Sequence, residues 1–77
     1  MFQYTICSEP DEAIFRRQCA ALEKRIIQLQ KGKILLDVDG SKTQFYTCDG
    51  KSIRVLNSYY LGGVFLDSEM DLESFFG

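Results

Sequence analysis

Residues 33–57 read KILLDVDGSKTQFYTCDGKSIRVLN, and this stretch decides the fold. Two Asp-Gly pairs, Asp39-Gly40 and Asp49-Gly50, divide it into three short apolar runs, and each pair is followed closely by Lys and Ser. Asp-Gly between alternating runs specifies hairpins, because Gly accepts the positive φ that such turns require. The stretch is therefore a three-stranded meander on which the rest of the chain packs. Ile34, Leu36 and Val38 are expected on one face with Phe45 and Thr43 or Thr47, then Ile53 and Val55. Lys33, Asp37, Lys42, Gln44, Arg54 and Asn57 are expected to face water. Leu35, Tyr46 and Leu56 break the alternation and imply partial cover of the second face.

Upstream, Phe2, Tyr4 and Ile6 alternate with Gln3, Thr5 and Cys7, the period of a half-buried strand. SEPDE then reads as a helix start. Ser8 is the expected N-cap, Asp11 the capping-box acid three residues on, and Pro10 is tolerated in the first turn. Glu9, Asp11 and Glu12 suit the positive end of the helix dipole. Phe15, Cys19, Leu22, Ile26 and Leu29 form one apolar stripe, widened by Ile14, Ala20, Ala21 and Ile27, so a helix is predicted over 9–30 with Gly32 as its C′ residue. A stripe of this length suits a helix covering a sheet better than a coiled coil.

Downstream, Asn57-Ser58 is a turn into Tyr59-Tyr60-Leu61. Gly62-Gly63 makes either a bulge or a hairpin, and Val64-Phe65-Leu66 completes the sheet. Asp67 or Ser68 is expected to cap a short last helix with Met70, Leu72, Phe75 and Phe76 on its apolar side. The order is β-α-β-β-β-β-α in a single domain, 1–77. The fold class is α+β: an antiparallel meander of about four strands plus an N-terminal strand, with one long amphipathic helix on one face and a short C-terminal helix. If the first strand joins the sheet parallel to the strand at 33–38, the helix is a right-handed crossover.

A chain of 77 residues buries only roughly 60% of its unfolded surface, which leaves little core for an enclosed site. The net charge of −2 gives no overall attraction to nucleic acid or acidic membranes. Charge is uneven, however. Arg16, Arg17, Lys24, Arg25, Lys31 and Lys33 face a lone Glu23 between 16 and 33, whereas Asp67, Glu69, Asp71 and Glu73 lie in a tail without a base. Cysteines 7, 19 and 48 are odd in number and lack a CxxC, which points to a reducing, cytoplasmic setting. No basic-then-apolar leader is visible, and the longest apolar run, 59–66, is far below the ~20 residues that span a bilayer.

ILLDVDGS at 34–41 resembles the first motif of the haloacid dehalogenase superfamily, an apolar strand followed by Asp-x-Asp-Gly-Thr/Ser. The resemblance would make Asp37 a nucleophile and Asp39 an acid/base beside Mg²⁺. It covers eight residues, and the doubly wound core, distant Lys and further acids of that family have no room here. The stretch is therefore read as a strand ending in a turn. As an EF-hand loop it would place Lys42 where Gly is needed and Cys48 where a bidentate Glu is needed. No histidine is present, which removes the commonest general base and transition-metal ligand. No enzyme, metal or cofactor is expected.

The functional expectation is a non-catalytic protein-binding domain of inhibitor, immunity-protein or antitoxin type. Tyr59 and Tyr60 would anchor a basic partner, and Asp67, Glu69, Asp71 and Glu73 would steer it. One alternative is a sheet that stacks single-stranded nucleic acid on Phe45, Tyr46, Tyr59 and Tyr60 beside Lys42, Lys51 and Arg54. The other is a self-associating structural subunit of a phage or secretion assembly, down to a homodimer, using the helix stripe or a sheet edge.

Overall fold

The turn at Asp49-Gly50 sets the register of the sheet. The structure is a computed structural model that describes residues 1–76, with side chains through Ser74. Asp49 and Gly50 both have positive φ, 52° and 77°, the mirror-image geometry that matches the twist of a two-residue hairpin. They join β3 (Lys42–Cys48) to β4 (Lys51–Ser58), with Cys48 opposite Lys51, Tyr46 opposite Ile53 and Gln44 opposite Val55. β2 (Gln30–Leu36) reaches β3 through a loop closed by hydrogen bonds from Asp37 N–H to Ser41 O (2.9 Å) and from Gly40 N–H to Asp37 O (3.1 Å). Residues 59–62 turn β4 into β5 (Gly63–Ser68), where Gly62 N–H donates to Ser58 O.

β1 (Phe2–Cys7) pairs antiparallel with β5, so the sheet order is β1-β5-β4-β3-β2. β1 and β2 run in the same direction but occupy opposite edges. α1 (Glu12–Arg25), which links them, therefore crosses the sheet face. The short α2 (Glu73–Phe76) closes the chain. The expected β-α-β-β-β-β-α order and α+β class are the ones observed.

The core lies between α1 and one sheet face. Phe15, Cys19 and Leu22 of α1 pack on Tyr46, Ile53, Val55, Val64 and Leu66, with Leu72 sealing one side. Full burial of a side chain such as Leu22 contributes about 2 kcal/mol. Tyr46 lies under the helix, and its hydroxyl donates to Glu23 Oε2 at 2.6 Å. Burial first, then that hydrogen bond, holds the Tyr46 phenol well above its usual range.

Several boundaries differ from the sequence reading. The N-cap is Asp11, whose Oδ1 accepts Ile14 N–H at 3.1 Å, and Ser8 lies outside the helix. Pro10 favours extended backbone before it, which delays the helix to the next capping residue. α1 ends at Arg25 instead of Gln30, and Ile26 caps it by donating its N–H to Leu22 O. Residues 30–36 gain a whole strand pairing with β3, which outweighs one more helical turn. Ile27 consequently leaves the stripe and is exposed. Gly32 is an extra residue in a register shift between Lys31 and Ile34, not a helix terminator. Asp67 and Ser68 belong to β5, so α2 begins later than expected, at Glu73, whose N–H is accepted by Asp71. The expectation for Phe75 and Phe76 lies outside the described side chains.

The facing of the meander is also revised. Gln44, Tyr46, Ile53 and Val55 look toward α1, whereas Phe45 and Arg54 share the open face. Gln44 and Asn57 are buried instead of solvated. The Gln44 amide donates to Gly32 O, Lys33 O and Phe45 O at 2.9, 3.2 and 3.0 Å and so holds the bulge of β2. Asn57 Oδ1 accepts the Asp11 N–H at 3.0 Å, tying the start of α1 to the end of β4.

Candidate protein-contact surface

The residues expected to form one contact surface lie at two ends of β5. Tyr59 and Tyr60 occupy the turn before it, and Asp67 lies near its far end, roughly 15–20 Å away by strand rise. The four acids are also largely engaged within the chain. Asp67 is only 5% exposed and its Oδ2 takes Arg54 Nε at 2.9 Å and Nη2 at 2.8 Å, while its buried Oδ1 has no partner. Glu69 accepts Ser52 N–H at 2.6 Å, and this backbone bond holds its carboxyl below the usual range. Asp71 accepts the Tyr4 hydroxyl at 3.1 Å as well as Glu73 N–H. Glu73 is exposed on the first turn of α2.

The aromatics have different neighbours. Tyr59 N–H donates to Ser41 Oγ at 2.9 Å, and a Cβ placed on Gly40 would touch the Tyr59 ring at 3.5 Å. The β4–β5 turn therefore stands against the β2–β3 loop. This corner carries Val38, wholly exposed, with Tyr60 at 89% and Tyr59 and Leu61 more than half exposed. Asp37 and Asp39 flank Val38 in sequence, and Glu9 is exposed two residues before Asp11, whose N–H bonds Asn57 near the end of β4. Backbone hydrogen bonding from Ser41 lowers the Asp39 pKa, keeping that carboxylate ionised. Asp37 Oδ1 accepts Val38 N–H at 2.8 Å. The two aspartates of ILLDVDGS thus serve a loop in an antiparallel sheet. The sequence signal for this corner is the wholly apolar ILL followed by Val38, which alternation alone assigns to the core.

β2 is exposed along its whole length, including Ile34, Leu35 and Leu36 at 48%, 51% and 64%. Helix α1 stands back from it. The groove between them, about 320 Å³, is lined by Phe15, Cys19, Ile34 and Gln44, with Lys42–Glu12 and Lys31–Glu23 ion pairs at its walls. The open face has a smaller hollow of about 230 Å³ lined by Met1, Phe45, Ser52, Arg54 and Asp67.

The groups of a nucleic-acid platform are dispersed. Tyr46 is buried beneath α1, Lys42 is paired with Glu12, Arg54 is paired with Asp67, and Phe45 lies on the opposite face from Tyr46. Among the described residues no group of three or more Cys, Asp or Glu side chains is placed to hold a metal ion, and no helix is long and apolar enough to cross a membrane. In comparison with known proteins, the chain matches no family model, no curated protein and no solved structure.

Proposed function

We propose that the protein is a non-catalytic protein-binding domain, of inhibitor, immunity-protein or antitoxin type, that docks a basic partner through the corner formed by Val38, Tyr59, Tyr60 and Leu61. The observation that carries this reading is that two loops bearing these exposed apolar side chains stand against each other, with Tyr59 N–H on Ser41 Oγ and the Tyr59 ring beside Gly40. Isolated exposed apolar residues are ordinary on a protein surface, but a contiguous patch rimmed by charge marks a contact site. Tyrosines suit such a site because they bury much area for little rotamer entropy, and Asp39 and Glu9 would steer a cationic surface toward them. The steering acids are therefore these two, and the role expected for Asp67, Glu69, Asp71 and Glu73 passes to them. Unpaired Cys7, Cys19 and Cys48 accord with a reducing, cytoplasmic setting.

The test is capture from native lysate by tagged wild type and by a Val38→Ser/Tyr60→Ser variant, with and without nuclease. A stoichiometric basic protein that survives nuclease and is lost at least about tenfold with the corner variant supports the reading. Equal capture by both proteins refutes the corner, and loss of all bound material with nuclease would favour the nucleic-acid alternative. A Glu69→Lys/Glu73→Lys variant serves as a charge control and is expected to capture normally.

A further inference from the structure

We infer that the exposed edge of β2 pairs with the same edge of a second copy of this chain, antiparallel and centred on Leu35. The corner described above meets this edge only at Asp37, and the inference does not depend on the proposed partner.

Edge strands present unpaired N–H and C=O groups, and soluble proteins blunt them with lysines, bulges or covering elements. β2 is blunted over only half its length. Lys31, Gly32 and Lys33 bring charge and the bulge, and Gln44 takes up the carbonyls of residues 32 and 33. Ile34, Leu35 and Leu36 that follow are apolar, exposed and not covered by α1. Asp37 gives its N–H inward to Ser41. By the alternation of an antiparallel ladder, the backbone groups of Ile34 and Leu36 then point outward at the edge.

Antiparallel pairing centred on Leu35 sets Ile34 of one copy opposite Leu36 of the other, twice, and these are the residues whose backbone groups point outward. Leu35 meets Leu35 on the two-fold axis. Lys33 meets Asp37, also twice. The faces agree as well. Lys33 Nζ lies over the Phe45 ring, 5.9 Å from its centroid, which places Lys33 on the open face with Leu35 and Asp37. Ile34 and Leu36 share the other face, where Ile34 lines the groove beside α1. Each apolar side chain thus meets an apolar one and each lysine an aspartate. This self-complementarity is what an isologous contact requires, and cross-strand pairs of this kind stabilise a ladder. The product is a continuous ten-stranded sheet with both α1 helices on one side.

Light scattering after size exclusion, across a dilution series, reads the outcome. Wild type is expected at twice 8.8 kDa, falling toward 8.8 kDa on dilution. Lys33→Asp places two like-charged pairs across the edge, as does Asp37→Lys. Each alone is expected to weaken association at least about tenfold while leaving far-UV circular dichroism unchanged. Mixing the two variants sets the two carboxylates of one edge against the two ammonium groups of the other, and is expected to restore the dimer. Leu35→Lys sets two ammonium groups on the axis and gives a monomer without touching the loop. A wild type that stays at 8.8 kDa at its highest soluble concentration overturns the inference, leaving the edge to another protein's strand or to none. A dimer indifferent to Leu35→Lys, or variants that fail to complement when mixed, overturns it equally.

Discussion

Replacing Arg54 by Ala tests how this small sheet tolerates a buried charge. Asp67 is 5% exposed, and Arg54 engages one of its oxygens by a hydrogen bond from Nε and an ion-pair contact from Nη2, the other oxygen being buried and unpartnered. The Arg54 side chain is itself 45% exposed, so the direct attraction is screened and contributes no more than about 1 kcal/mol. The larger quantity is what removal leaves behind. A carboxylate stranded in the sheet without its cation costs about 3–5 kcal/mol. A domain of this length has about 4–12 kcal/mol in total, so Arg54→Ala is expected to unfold much of the protein in modest urea.

The paired replacement Arg54→Met/Asp67→Leu removes charge and desolvation together. It is expected to lie within about 1–2 kcal/mol of wild type or above it. Urea unfolding followed by far-UV circular dichroism at neutral pH measures all three proteins; the chain has no tryptophan to report by fluorescence. The reasoning is refuted if Arg54→Ala costs less than about 1 kcal/mol, the cost of a surface pair. It is equally refuted if the double replacement is as damaging as the single one.

Acidification should destabilise the fold. Glu12 (through its hydrogen bond with Lys42), Asp39 and Glu69 all have carboxyls held below their ordinary 4.5, 3.8 and 4.5. Their stabilisation is present above those values and lost as pH falls through the lower folded ones, so the thermal midpoint should drop between about pH 5 and pH 3. A midpoint constant over that range contradicts this. Gly63→Ala should be worse than Gly50→Ala despite an ordinary φ. Its Cβ would lie 2.5 Å from the Cys7 carbonyl oxygen, whereas Gly50 at φ +77° has nothing within 4 Å and loses only about 1–2 kcal/mol of backbone preference; denaturant midpoints in the reverse order would refute the assignment. Gln44→Leu should cost about 1–3 kcal/mol by leaving the carbonyls of Gly32 and Lys33 unpaired. Hydrogen exchange should then accelerate in residues 30–36, and protection unchanged there would show that the bulge holds without Gln44.

The meander and its turns were legible because they rest on local chemistry. Asp49-Gly50 specifies a two-residue hairpin wherever it is placed, and the order of elements followed from it. The same turn also fixed register. With Cys48 opposite Lys51, Tyr46 must face Ile53 and Phe45 must face Arg54, an alignment the apolar pattern alone obscured because 45 and 46 are both aromatic. The end of α1 was not legible, since it depends on β3 offering residues 30–36 a partner, a long-range term absent from periodicity. Gln44 and Asn57 looked solvent-facing for a related reason. A buried amide is stable only when distant carbonyl or N–H groups happen to meet it, and those meetings exist only in the folded chain. The internal bonds of the acidic tail were not legible either, because Asp67 with Arg54 and Asp71 with Tyr4 are pairings between residues distant in sequence.

Apolar residues left outside the core explain more of this molecule than those within it. The helix is too short to shield five strands, and it lies over β3, β4 and β5, where Phe15, Cys19 and Leu22 find a continuous floor. Lengthening it to Gln30 would have covered β2 but removed the residues that begin β2. An α1 of 14 residues and an uncovered β2 are thus two consequences of one division of the chain between helix and strand. Had β2 only to cap the sheet, Lys or Thr at 34–36 would do so with less risk of aggregation. Ile34, Leu35 and Leu36 instead place β-branched and long apolar side chains on both faces of an open edge, next to a lysine and an aspartate spaced to meet each other across a two-fold axis. The pattern has a physical rationale as an interface and none as a lone edge, and Leu35→Lys separates the two: it should abolish association while leaving the monomer as stable as wild type.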